Sequence, residues 1–117
     1  MKNYDKLKAN RDFHRIYNRG KSFVAPTIVT YVRRCKGDGV HLGITAGKKV
    51  GGAVQRNRAK RVIAAAFREC SPYIAKGSEI VIVARTRILE YKSTEIATIL
   101  KKQLKAAQVW CENELSE

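Results

Sequence analysis

The pattern of hydrophobic positions predicts four strands in one sheet. Apolar and polar residues alternate over residues 28–34 and again over 40–45, as in strands with one face buried or both faces covered. The turn signal at residues 36–39 predicts that these two strands pair as a hairpin. Residues 80–84 are apolar without interruption, which is typical of a strand covered on both faces, and residues 21–25 add a short strand.

Helical periodicity marks three other segments. Asn10 is the candidate N-cap of a first helix, with Phe13, Ile16 and Tyr17 on one face and Gly20 beyond its end. A second helix runs from about residue 53 to 70, with Phe67 at the margin of its buried stripe, which comprises Ala59, Val62, Ile63, Ala66 and Cys70. Ser93 caps a third helix, whose core stripe comprises Ile96, Ile99, Leu100, Leu104 and Ala107. The element order is α-β-β-β-α-β-α, an α+β fold (an α/β sandwich) with one central sheet and helices packed on it.

Length and composition fit one domain spanning residues 1–117. Its 117 residues are 44% hydrophobic, enough for one modest core. Cys35, Cys70 and Cys111 form no CxxC pair, so we expect reduced thiols in a cytoplasmic protein, with neither a zinc site nor a disulfide framework. No apolar run approaches the ~18 residues of a membrane span, and no signal-peptide core begins the chain, so no membrane partner is expected.

The excess positive charge is confined to one part of the chain. The net charge is +14; residues 1–68 carry 17 Lys and Arg against 3 Asp and Glu, whereas residues 69–117 carry 7 against 7. Seven basic residues and no acidic residue lie between Lys48 and Arg68. A solvated helix face normally mixes charges of both signs, so this run favours binding to a polyanion instead.

The second helix is the first candidate RNA site. Arg58, Arg61 and Arg68 share a ridge that Ala64 and Ala65 keep low, which gives phosphates close access to the guanidinium groups. Arg56 and Lys60 lie nearer the edges, and one of them could pair with a carboxylate instead. Asn57 could bind RNA or cap the helix, and for Asn57 alone capping is slightly favoured.

Two smaller candidate sites flank this helix. Lys48 and Lys49 lie in a glycine-punctuated loop that could bind phosphate or be an ordinary connection; we favour phosphate. Phe13, Tyr17 and Tyr31 could stack unpaired bases, although sequence alone favours aromatics that pack helix onto sheet. Three further aromatic residues are assigned to packing: Phe23 and Phe67 in the core, and Trp110 on the last helix.

No arrangement of side chains predicts protein-encoded catalysis. The acidic residues Asp5, Asp12, Asp38 and Glu69 form neither a carboxylate pair nor a metal cluster, and the two histidines lack acidic partners at ligand spacing. We therefore expect no catalytic residue and no metal ligand in the protein.

Three segments resemble the protein subunit of bacterial ribonuclease P. The most specific is residues 43–61, with Lys-Lys, a glycine-containing loop and Arg-Asn-Arg-Ala-Lys-Arg; the others are residues 7–22 and the strand at 80–84 followed by Arg85. The resemblance covers about residues 7–107, which we expect to form the core. Gly47 and Gly52 depart from the family, which usually has serine and a polar residue, often asparagine, at these positions.

The resemblance implies a fold and a set of partners. The fold resembles a ribosomal-protein domain and has a left-handed βαβ crossover around the basic helix, against the usual right-handed rule. The basic helix is expected to face the catalytic RNA, and the cleft of Phe13, Tyr17 and Tyr31 to contact the 5′ leader of precursor tRNA. The chain would then assist an endoribonuclease whose RNA subunit binds the Mg²⁺ and performs the chemistry, with no obligate protein partner.

A structural RNA-binding protein of the ribosome or its assembly is the alternative. Such a protein would be equally basic and equally lacking in catalytic acids. Exposed aromatic residues favour a leader cleft over a purely structural binder. A DNA-binding protein is a more distant third, because no helix-turn-helix pattern is apparent.

Overall fold

A computed structural model describes residues 4–112 and confirms the α+β architecture. Its strands are β1 (Asp5–Lys6), β2 (Lys21–Val24), β3 (Ile28–Arg34), β4 (Val40–Thr45) and β5 (Ser78–Ala84). Its α-helices are α1 (Asn10–Arg19), α2 (Ala53–Cys70) and α3 (Ser93–Ala106). Short 3₁₀ helices occupy Lys48–Val50, Ser71–Tyr73 and Thr86–Glu90. The sequence pattern missed β1, because two residues are too few to show a period.

The predicted hairpin between β3 and β4 is wrong. The sheet order is β1-β4-β5-β3-β2, so β5 lies between the two strands, antiparallel to β3 and parallel to β4. Six of the seven residues of β5 are buried, which explains why this strand takes the central position. β4, α2 and β5 follow one another in the chain and form the expected βαβ unit.

The two faces of the sheet are covered differently. On one face α2 and α3 form the main core, where Ile80 and Ile82 of β5 cluster with Ile63 of α2 and Leu100 of α3. Phe67, which lay at the margin of the predicted buried stripe of α2, is completely buried, so its assignment to the core is confirmed. On the other face lies α1, which buries Ile16 fully and contacts β3 and β5.

The helix starts differ in detail from expectation. Ala9 and Lys92 hold the N-cap positions of α1 and α3, so Asn10 and Ser93 are first helical residues rather than caps. At α3, Glu95 provides the acceptor instead: its Oε1 receives the main-chain N–H of Lys92 at 2.9 Å. α1 ends at Arg19, and Gly20 follows it at the C-cap position, beyond the end of the helix as predicted.

Trp110 lies beyond α3, not on it. Its ring stacks on Tyr73 with centroids 5.0 Å apart, and it forms a β-bridge with Ile74. The packing role expected for Trp110 is therefore confirmed, although its placement on the helix was wrong. Cys35, Cys70 and Cys111 are free thiols, and burial raises the pKa of Cys70 to about 11.

A buried carboxylate ties α1 to the sheet. Glu79 on β5 accepts hydrogen bonds from Arg15 of α1 and Arg33 of β3, each at 2.8 Å, and Arg15 also donates to Asp12 at 2.7 Å. The Glu79 side chain is only 9% exposed. Burial opposes its ionisation, but the two arginine hydrogen bonds outweigh burial, so the pKa of Glu79 lies below its ordinary value.

Gly77 joins the ends of β3 and β4 just before β5. Its carbonyl accepts the N–H of Cys35 at 2.7 Å, and its own N–H donates to the carbonyl of Gly39 at 2.9 Å. Its φ is +82°, and a Cβ there would lie 2.7 Å from the carbonyl oxygen of Cys35. Only glycine fits this junction without strain.

Replacing Gly77 should therefore destabilise the fold. We expect Gly77→Ala to lower the free energy of unfolding by about 1–3 kcal/mol, because it adds a strained φ and a backbone clash. Gly37→Ala is the matched control, since a Cβ at Gly37 meets no atom within 4 Å. Urea unfolding of both variants measures the difference, and equal losses would contradict the role given to Gly77.

Replacing Glu79 should give a pH-dependent loss of stability. Because its pKa is lowered on folding, the ionised carboxylate stabilises the protein above the ordinary glutamate pKa, and this contribution is lost as the pH falls through the lowered value. We expect Glu79→Gln to cost on the order of 2 kcal/mol at pH 7. The deficit should shrink below about pH 4.

Urea unfolding between pH 7 and pH 3 checks this expectation. Glu90→Gln removes an exposed carboxylate and serves as the control, with an expected change within about 0.5 kcal/mol. A deficit for Glu79→Gln that stays constant over this pH range would rule out the ionic contribution.

Candidate nucleic-acid interface

The outer face of α2 carries positive charge that no carboxylate among residues 4–112 neutralises. Asn57, Arg58, Lys60, Arg61 and Arg68 are exposed. The ion pairs among residues 4–112 join Arg15 to Asp12 and Glu79, Arg33 to Glu79, and Lys105 to Glu112, so none involves α2. The helix has no acidic residue in its first turn.

The residues at the edges of α2 differ in their surroundings. Arg56 is half-buried, and neither Arg56 nor Lys60 pairs with a carboxylate within the described residues, contrary to the alternative considered for one of them. Arg58 donates to the carbonyl of Leu89 at 3.1 Å, so one of its donors serves the fold. The guanidinium groups of Arg61 and Arg68 make no hydrogen bond or ion pair with another residue of the described range 4–112, and both side chains are exposed.

Asn57 does not cap α2. Gly52 holds the N-cap position and provides no side-chain acceptor, while Asn57 lies inside the helix and is exposed. The capping role slightly favoured for Asn57 is therefore wrong, because the helix begins four residues earlier. Its side chain is available on the same outer face as the arginines.

Lys48 and Lys49 project from a short 3₁₀ helix rather than from an open loop. Both are exposed, while Val50 beside them is buried and anchors the turn. Gly51 follows at φ +148°, a conformation that favours glycine. Thr86, after β5, donates to the carbonyl of Lys49 at 3.3 Å, which holds the exit of β5 beside the two lysines.

The structure brings Tyr17 and Tyr31 into contact on the α1 face of the sheet. Their ring centroids are 4.9 Å apart and their planes are at 75°, an edge-to-face arrangement. Both side chains, like that of Phe13, remain partly exposed. The three aromatics therefore pack α1 on the sheet and also present ring surface to solvent.

Phe13 is held against a glycine on β4. A Cβ at Gly43 would lie 2.5 Å and 2.7 Å from two carbons of the Phe13 ring, so the ring occupies the space that any side chain would need. Gly43 thus sets the position of Phe13. The sequence motif contained Gly43, but nothing in the pattern showed which ring approached it.

A row of partly buried residues extends the aromatic surface across the sheet. Val29, Val83 and Thr45 are paired neighbours on β3, β5 and β4, and they share a face with Tyr31. The row leads toward Lys48 and Lys49 at the end of β4. The sequence did not predict this row, because the register between the strands cannot be derived from the sequence alone.

Neither metal-binding clusters nor membrane spans appear in the part of the chain that the structure describes. No three His, Cys, Asp or Glu side chains within residues 4–112 lie close enough together to hold a metal ion. Likewise, no helix among these residues combines the length and apolar character that crossing a bilayer requires.

Comparison with known proteins agrees with this geometry. The family model described as Ribonuclease P matches residues 1–108. A ribonuclease P protein component from Shouchella clausii is 34% identical over 110 residues, covering 93% of this chain and 90% of the relative.

Solved structures extend the comparison to the fold. The RNase P protein of Staphylococcus aureus has 34% identity and a TM-score of 0.76, and the match covers 90% of this chain and 96% of that one. The RNase P protein of Thermotoga maritima has 31% identity and a TM-score of 0.76, with 86% and 96% covered. The chain belongs to the ribonuclease P protein family.

Proposed function

We propose that this chain binds the catalytic RNA of ribonuclease P through α2 and the 5′ leader of precursor tRNA through the aromatic cleft. It thereby assists endonucleolytic removal of the leader, which gives the mature 5′ end of tRNA. The observation that carries the proposal is the presence of two surfaces: a cationic helix that forms no ion pair with residues 4–112 on one side of the sheet, and partly exposed aromatics on the other.

The cationic surface suits a folded RNA. We assign Arg56, Asn57, Arg58, Lys60, Arg61 and Arg68 to the catalytic RNA, and Lys48 and Lys49 to phosphate. An arginine guanidinium group binds phosphate through two parallel hydrogen bonds. Each phosphate that is neutralised releases condensed counterions from the RNA. Reduced repulsion between two RNAs lowers the Mg²⁺ concentration that their association requires.

The aromatic cleft suits a single strand. Phe13, Tyr17 and Tyr31 offer rings on which unpaired bases stack, and stacking accepts any base sequence. The lysines at the end of β4 lie where a strand crossing the row of Val29, Val83 and Thr45 would leave the sheet.

The protein contributes binding and orientation rather than chemistry. Glu79 and Asp12 are engaged by arginines, so these carboxylates serve the fold. We assign the chemistry to the RNA subunit, which binds most of the Mg²⁺ that stabilises charge at the scissile phosphate. We place this activity in the cytoplasm, in one RNA-binding domain.

The ribosomal alternative is not favoured. The matching family model and the relatives reported above are ribonuclease P proteins. Besides packing α1 on the sheet, Tyr17 and Tyr31 are partly exposed, and a binder that uses charge alone does not require exposed rings.

Removing Arg61 should weaken assembly with the catalytic RNA. We expect Arg61→Ala to reduce affinity for bacterial ribonuclease P RNA roughly tenfold. A plot of log affinity against log salt should become less steep by about 0.7–0.9 for each lost phosphate contact. Filter binding between about 50 and 400 mM monovalent salt measures both the affinity and its salt dependence. Over this range the screening of protein–RNA charge interactions changes strongly.

A lysine on another face provides the control for Arg61. Lys102→Ala removes an exposed positive charge from α3 and should leave both affinity and slope unchanged. Equal losses in the two variants would mean that total charge, not the α2 surface, governs binding.

Adding a methyl group at Gly43 should weaken leader binding by displacing Phe13. We expect Gly43→Ala to lower the affinity of the holoenzyme for precursor tRNA about tenfold, since one stacked base contributes about 1–3 kcal/mol. Affinity of the holoenzyme for mature tRNA should not change. Fluorescence titrations with leader-containing and leaderless tRNA give the comparison.

A double variant separates the displaced ring from general damage. In a Phe13→Ala background the ring is already absent, so Gly43→Ala should add little further loss of leader affinity. Additive losses of leader affinity would show that Gly43 acts on the fold and not through Phe13.

A further inference from the structure

A recess lies between α2 and the N-terminal segment, at the sheet edge where β1 ends. Its volume is about 320 Å³. Leu7, Phe13, Ile44 and Ala64 contribute apolar walls, while Lys60 and Arg61 stand at its α2 side. The recess therefore connects the cationic face of α2 with the aromatic cleft.

The sheet edge in this recess is open. β1 pairs with β4 only at His41 and Leu42, and the N–H of Leu7 makes the last bond, to the carbonyl of Leu42 at 2.8 Å. Among the described residues no strand continues alongside Ile44. An edge strand presents main-chain donors and acceptors, which here face the recess.

These groups complement one chemical class of ligand. An apolar recess bordered by an aromatic ring accepts a planar base, and main-chain groups of an edge strand can form hydrogen bonds with the polar edge of that base. The two exposed cations beside the recess complement the phosphate of the same nucleotide. An unpaired nucleotide provides all three features.

We propose that this recess binds one unpaired nucleotide of the catalytic RNA, with its base against Phe13 and Ala64 and its phosphate on Lys60 and Arg61. The source is assigned to the catalytic RNA because both cations belong to α2, so the assignment rests on the proposed function. The recess would anchor the RNA at a fixed point between the two binding surfaces.

The free protein tests the recess without any RNA subunit. Isotope-labelled protein is titrated with AMP, UMP and inorganic phosphate, and amide NMR shifts are followed. Both nucleotides should shift the signals of Gly43, Ile44 and Ala64 more than phosphate does. Ala64→Leu should abolish these shifts by filling the recess, whereas Ala106→Leu, at the end of α3, should not. Equal shifts with phosphate and nucleotides would overturn the proposal.

Assembly with the catalytic RNA tests the source of the nucleotide. Without precursor tRNA, Ala64→Leu should reduce affinity about tenfold, as expected for one lost stacked base. Ala65→Leu, on the same helix but outside the recess, should have a smaller effect. Unchanged RNA affinity with weaker leader-dependent binding would assign the nucleotide to the leader and overturn the proposal.

The variants also separate this inference from the proposed function. If Arg61→Ala weakens binding to the catalytic RNA and Ala64→Leu does not, the α2 interface stands and the nucleotide recess is rejected. If neither variant weakens binding, the proposed function itself fails. Circular dichroism and thermal unfolding confirm that each variant is folded before binding is compared.

Discussion

The need to cover β5 on both faces and along both edges organises the molecule. Its main-core side chains, such as Ile80 and Ile82, pack beneath α2 and α3, while Val81 on the opposite face is also fully buried. β3 pairs antiparallel with one edge of β5, and β4 pairs parallel with the other edge. Because α2 must cross the sheet to connect β4 with β5, its outer face is held at a defined distance from the α1 face. This distance sets the separation of the two surfaces to which we assign RNA binding.

The three α-helices and strands β2–β5 could be predicted from the sequence, because each has enough residues to show its period, whereas the two-residue β1 does not. Residues 80–84 revealed a strand covered on both faces, and the stripe of α2 revealed which side was buried. Strand pairing could not be predicted: the turn at residues 36–39 is compatible with a hairpin, and only competition from β5 excludes it. Helix starts were misplaced by a residue or more where caps were inferred from residue type alone.

For the candidate site, residue types were predictable and neighbours were not. The charge of α2 could be read directly from its residues. The spacing of Phe13 and Tyr17 placed both rings on one face of α1, and in the structure Tyr31 contacts Tyr17 on that face. Glu79, in contrast, looked like one more acid in a neutral half of the chain. Its two arginine partners are 46 and 64 residues away, a separation that no local pattern records.

The first turn of α2 has a consequence for the protein outside its complex. Gly52 offers no side-chain acceptor, no acid lies in that turn, and the helix then gathers arginines and lysines of one sign. The first N–H groups of α2 therefore lack a side-chain acceptor, and no negative charge offsets the positive end of the helix dipole. The positive side chains along the helix also repel one another. Negative charge at this segment would relieve all three effects. In the proposed complex a bound polyanion supplies it, which couples folding to RNA binding thermodynamically. Under that proposal, the RNA stabilises the fold of the protein that binds it.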